Sequence, residues 1–121
     1  MNNRYFLSFL LLFCISSTVS AQLTVNEIMA SNSSVIADNE GQYDDWIEIY
    51  NASGVSINLA EYYLTDDSDN LTKWKIPNTS SAQTTINANG YLIFWLDNDP
   101  EQGAHHVDFK LSAGRIYCLS S

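Results

Sequence analysis

Cysteine, positive charge and long apolar runs are all scarce in this 121-residue chain, and each shortage excludes something. Two cysteines occur, and Cys14 lies inside an apolar N-terminal run. If that run is removed, Cys118 alone remains. A single thiol closes no internal disulfide, so the fold must stand on its core. Cys118 then reads as a small buried hydrophobe rather than a nucleophile. Five Lys and Arg face fourteen Asp and Glu, giving a formal net charge of −9. Such a surface repels the phosphates of nucleic acid and anionic membrane faces. It suits divalent cations, or it simply keeps the protein soluble. The apolar run Tyr5 to Ile15 is broken only by Ser8, and it falls well short of the ~20 residues a spanning helix needs. A Gly-rich phosphate loop and a nucleophile-elbow string are also missing, so no familiar catalytic apparatus is legible.

What is present at the N-terminus has the three parts of a secretory signal. Arg4 gives the start its positive charge, the apolar run follows, and Val19 and Ala21 stand at the −3 and −1 positions of a cleavage site. Residues 1–21 are therefore expected to be a signal peptide, cut before Gln22, with no transmembrane anchor left afterwards. Lipidation at Cys14 is disfavoured, because Phe13 stands where a small residue is needed. The remaining residues 22–121 make one small domain destined for secretion or the cell surface.

Short β-branched and aromatic runs recur there between turn-formers, without a helical period. Val25 to Met29 opens the series. In Trp46-Ile47-Glu48-Ile49-Tyr50 the two isoleucines fall on one face and Trp46, Glu48 and Tyr50 on the other. Asn51 to Gly54 turns the chain, and Val55 to Leu59 is expected to return as the next strand. Tyr62 to Thr65 follows, then Lys73 to Ile76, stopped by Pro77 and flanked by edge-protecting lysines. Residues 78–89 read as polar and turn-rich. Tyr91 to Leu96 is apolar on both faces, as for a central strand, and Val107, Phe109 and Leu111 alternate with Asp108 and Lys110. About seven short strands at this spacing predict an all-β, immunoglobulin-like two-sheet sandwich, its interior filled by tryptophans and tyrosines.

Several of these strings, in this order, resemble the lamin-tail domain family in its bacterial exported form. They are Val25 to Asn32, Asp45 to Asn51, Leu59 with Tyr62 to Asp66, Lys73-Trp74 with Pro77, Ala88 to Leu92, and His105 through Phe109 to Ser112. The resemblance runs from about Leu23 to Ser112. It implies an immunoglobulin-like sandwich that is itself non-catalytic, appended to larger secreted or surface proteins and sometimes placed beside hydrolase domains. After Ser112 the sequence departs from the family's pattern. Either one or two closing strands are missing, as in a truncated product, or Ile116 to Leu119 supplies the last strand.

Candidate sites are few. Asp66, Asp67, Asp69 and Asn70 place oxygen-bearing side chains in one loop, the donor type Ca²⁺ takes. They do not form an EF-hand, since Leu71 and Pro77 stand where its glycine and closing glutamate belong. The competing account is a solvated turn that caps its own backbone. Asp97, Asn98, Asp99 and Glu101 join the calcium set if their loop lies at the same end. His105, His106 and Asp108 suggest a metal set, but neighbouring strand positions face opposite ways. Glu27 and Glu48 lie within strands, where Glu48 shares a face with Trp46 and Tyr50 and suits a structural hydrogen bond better than glycosidase chemistry. Four Asn-X-Ser/Thr triplets begin at Asn32, Asn51, Asn70 and Asn78.

The expectation is a non-catalytic interaction or spacer module, holding neighbouring domains or offering a face to a protein or glycan. The rival is a calcium-assisted carbohydrate-binding module, with Trp74, Tyr62, Tyr63 or Trp95 stacking on sugar rings. Cofactors are otherwise not expected.

Overall fold

The alternation at Trp46 does what its period dictates. In a computed structural model, which describes residues 22–112 and 114–120, β2 (Trp46–Asn51) is the central strand of an antiparallel sheet ordered β1-β2-β7. Its partners are β1 (Leu23–Met29) and β7 (Tyr91–Trp95). Ile47 and Ile49 are fully buried on the inner face, each contributing roughly 1.5–3 kcal/mol by leaving water. On the other face Tyr50 stacks on Tyr91 with ring centroids 4.7 Å apart. The register slips between Val25 and Glu27, and beside that bulge Asn26 Nδ2 donates to Glu48 Oε1 at 2.8 Å. Glu48 thus makes the structural hydrogen bond its position suggested.

A second three-stranded sheet is ordered β5-β4-β8, from β4 (Tyr63–Thr65), β5 (Trp74–Lys75) and β8 (Tyr117–Leu119). Trp74 meets Phe94 edge to face, with centroids 6.2 Å apart, which joins the two sheets through one interior. Ile47, Ile49, Leu64, Ile76, Phe94, Leu96, Val107 and Ile116 belong to this same cluster. A ribbon of β3 (Ile57–Asn58) and β6 (Thr85–Ile86) completes the fold. Short α1 (Ser81–Thr84) precedes β6. Among the described residues the regular elements are mostly strands with almost no helix, in several antiparallel sheets, as the immunoglobulin-like reading requires.

Four details differ from the sequence reading. The segment after Asn51 does not fold back on β2; β3 pairs with β6. The Asn51 carboxamide explains this, because its Nδ2 donates to the carbonyls of Val55, Ile86 and Asn87 and ties the turn to the far ribbon. β7 is the edge of its sheet rather than the centre, its outer side met by Trp95–His106 and Asp97–Lys110 bridges. Residues 107–111 form no strand, although Val107 and Phe109 are buried while Asp108 and Lys110 are exposed. Their alternation is one of burial alone. Within the polar stretch 78–89 the structure places both α1 and β6.

Tyr117–Leu119 pairs antiparallel with β4, so the tail does supply a strand. The expected signal peptide, residues 1–21, lies outside the described residues. Among those described, no helix is long and apolar enough to cross a membrane.

Candidate functional site

Three loops converge where β2 begins and β7 ends. The first is Asp38 to Gln42, a tight turn in which Gly41 has φ 77° and its N–H donates to the Asp38 carbonyl at 3.1 Å. That positive φ is a conformation glycine adopts without cost. The Asp38 carboxylate closes the turn from inside: Oδ1 accepts the amides of Glu40 and Gln42 at 2.9 and 2.8 Å. The second loop follows β7, where Asp97 Oδ1 accepts the Asp99 amide at 3.1 Å. The third carries His106, whose backbone N–H donates to the Gly103 carbonyl.

Within this junction Asp97 Oδ2 and His106 Nδ1 lie 2.5 Å apart. An imidazole nitrogen of His106 and one carboxylate oxygen each from Asp97 and Asp38 all fall within 4.8 Å of one another. Asp38 is 8 % exposed, Asp97 2 % and His106 4 %. Burying two carboxylates and an imidazole together is costly unless each polar atom is matched. One atom is not, since Asp38 Oδ2 finds no hydrogen-bond partner among the described residues. Nearby, Gln102 Nε2 donates to Gln42 Oε1 at 3.1 Å, and Gln102 Oε1 is a second buried oxygen without a partner. The surroundings are negative as well. Burial, and then the charges of Asp97, Asp38 and Asp99, push the Asp44 carboxyl above its usual range, with Lys110 opposing them.

The loop at Asp66 is arranged otherwise. Asp66 turns inward, where Oδ1 accepts from Lys73 Nζ at 2.6 Å and Oδ2 accepts from the amide and hydroxyl of Ser112 at 2.8 and 2.6 Å. Burial pushes its carboxyl up, but these hydrogen bonds and the lysine charge outweigh burial and hold it at about 2. Asp67, Asp69 and Asn70 are exposed; Asp67 Oδ1 accepts the Asp69 amide at 2.9 Å and its carbonyl accepts the Asn70 amide at 3.1 Å. This is the turn-capping pattern of Asp and Asn side chains.

Of the residues singled out in the sequence as separate candidate sets, the structure joins Asp97 to His106. His105 points away, toward the Gln83 carbonyl, its ring nearly perpendicular to that of Phe94. Asp108 is exposed, so His106 takes Asp97 rather than Asp108 as its carboxylate. Asp38 drew no attention in the sequence; the only hint there is its place ahead of Gly41 in an acidic turn. Trp74 and Trp95 are 7 % and 8 % exposed and belong to the interior, while Tyr62 and Tyr63 are half-buried.

Compared with known proteins, the family model described as Lamin Tail Domain matches residues 16–116. No curated protein and no solved structure matches the chain.

Proposed function

The chain belongs to the Lamin Tail Domain family, and from that premise we propose that it serves as a non-catalytic interaction or spacer module of a secreted or cell-surface protein. The family match over residues 16–116 carries this reading, because the domain is a β-sandwich module and usually performs no chemistry itself. In keeping with such a module, side chains from both three-stranded sheets fill one interior. The N-terminal segment, with its charged start, apolar run and Ala21, supports export. Neighbouring domains of a longer protein, or a protein or glycan surface, are its partners in this reading, and its acidity disfavours nucleic acid.

The calcium-assisted glycan reading draws less support, since sugar stacking needs exposed aromatic faces and both indoles named for it are buried. One experiment separates the two. The full chain is expressed with its own N-terminal segment, the mature terminus is sequenced, and the exported product is screened on a glycan array with calcium and with chelator. The module reading expects a terminus at Gln22, an extracytoplasmic product and no calcium-dependent signal on the array. A product retained inside the cell overturns export, and calcium-dependent glycan signal overturns the module reading in favour of its rival.

A further inference from the structure

From the buried junction at the end of the first sheet we infer that Asp38, Asp97 and His106 form a binding site for a divalent first-row transition cation of the zinc type, which staples the 38–42 turn to the distant segment that follows β7. The donor set argues for the metal class. Two carboxylate oxygens and one imidazole nitrogen lie within 4.8 Å of one another, and zinc takes such mixed nitrogen and oxygen ligands at about 2.0–2.2 Å. Calcium asks instead for six to eight oxygens, and imidazole favours zinc, copper, iron or nickel over magnesium and calcium.

Two observations lift this set above an ordinary acidic cluster. Asp38 is more than nine-tenths buried, yet its Oδ2 has no hydrogen-bond partner among the described residues. An ion supplies that partner. The negative surroundings, with Asp44 and Asp99 close by and Lys110 as the opposing cation, also favour a positive guest. Gln102 Oε1, buried and unpartnered on a side chain bonded to Gln42, stands at the rim of the same junction.

The inference gives the site a purpose. Asp38 precedes β2, whereas Asp97 and His106 follow β7. An ion held by all three locks the 38–42 turn against the 97–106 segment. A small domain whose described residues hold one cysteine, and so no disulfide among them, gains most from such a staple. Because the ligands are buried, loading belongs to the closing of the turn as the chain folds.

The test uses the full chain refolded with zinc, passed over a sizing column and analysed for metal per chain, and melted with zinc, with calcium and with EDTA. Expected are about one zinc per chain and a melting temperature at least ~5 °C higher with zinc than with EDTA, the size of shift set by ligand linkage in a small domain. Asp38→Asn keeps an oxygen to accept the Glu40 and Gln42 amides and removes the charge; it should weaken zinc binding at least ~10-fold, since changing even an outer-shell partner of a ligand costs that much. His106→Asn should do the same, and the exposed Asp108→Asn should change nothing. If His106→Asn does not fold, Asp38→Asn decides. No retained zinc, no zinc-dependent shift, zinc binding undiminished in Asp38→Asn, or a shift with calcium alone would each overturn the proposal. None of these results bears on export or on the glycan array.

Discussion

Asn51 shows how one polar side chain decides connectivity. It is fully buried; Nδ2 reaches three carbonyls, and Oδ1 accepts the amide and hydroxyl of Ser53 at 3.0 and 2.7 Å. Asn51→Ala leaves those buried groups unmatched, so equilibrium urea unfolding should show a loss of about 2–3 kcal/mol. The same burial means that the triplet at Asn51 offers no glycan acceptor in the folded state. Asn32 is closed off likewise, with Nδ2 donating to the Ile36 and Asp44 carbonyls at 2.6 and 3.0 Å. In the sequence Asn51 was legible as a turn-former, but its distant carbonyl partners were not, because a side-chain amide carries no mark of which backbone it will meet. Asp66 makes a pH prediction. Its folded value of about 2 lies below the ordinary 3.8, so its stabilisation is complete above about pH 4 and drains away as pH falls through about 2. Wild type should exceed Asp66→Asn by on the order of 2 kcal/mol at neutral pH, and the gap should close by about pH 2. For Cys118, burial pushes the thiol up to about 12. Alkylation mapped to Cys118 should therefore be slow in the native protein and fast in urea; rapid native labelling would contradict its packed position.

Elements with a strong period were readable, and those defined by pairing were not. β1, β2, β3, β4, β5 and β7 overlap alternating or apolar runs of four or more residues bounded by turn residues, where a strand is visible. β6 is two residues inside a polar stretch, too short to show any period, and the pairing of β3 with β6 rests on the Ile57–Ile86 and Asn58–Thr85 register alone. Tyr91 to Trp95 looked central because it is apolar on both faces; on its outer side it meets only a bridge from Trp95 to His106 and, just beyond its end, one from Asp97 to Lys110, rather than another long strand. The connection into β7 is itself tightly specified. Asn89 has φ 57°, and a Cβ on Gly90 would meet the Asn87 carbonyl oxygen at 2.9 Å. That oxygen already accepts the Gly90 amide, and the Gly90 carbonyl accepts Asn51 N–H. Gly90→Ala should thus cost about 1–3 kcal/mol, the range for overpacking against an unyielding neighbour, read from the thermal melt. A neutral result would mean that this turn relaxes freely.

At the scale of the molecule, composition spoke clearly and geometry did not. A net charge of −9 and the scarcity of cysteine pointed to an acidic domain held by its core, and both three-stranded sheets do share one interior. The junction of Asp38, Asp97 and His106 was only half legible. His106 attracted notice beside Asp108, its neighbour along the chain, whereas its carboxylates come from loops brought near by the sheet. Residues separated by most of the chain's length meet only once the strands have set their register.

The central claim is that the two sheets close on one cooperative core around β2 and β4. Native-state hydrogen exchange of the backbone amides tests it most directly, because amides that need global unfolding exchange together and slowest. The account predicts that protected amides of β2 and of β4, the middle strands of the two sheets, share one slowest class and lose protection in step as urea is raised. Protection confined to β2 and its neighbours, with β4 exchanging freely, would contradict it.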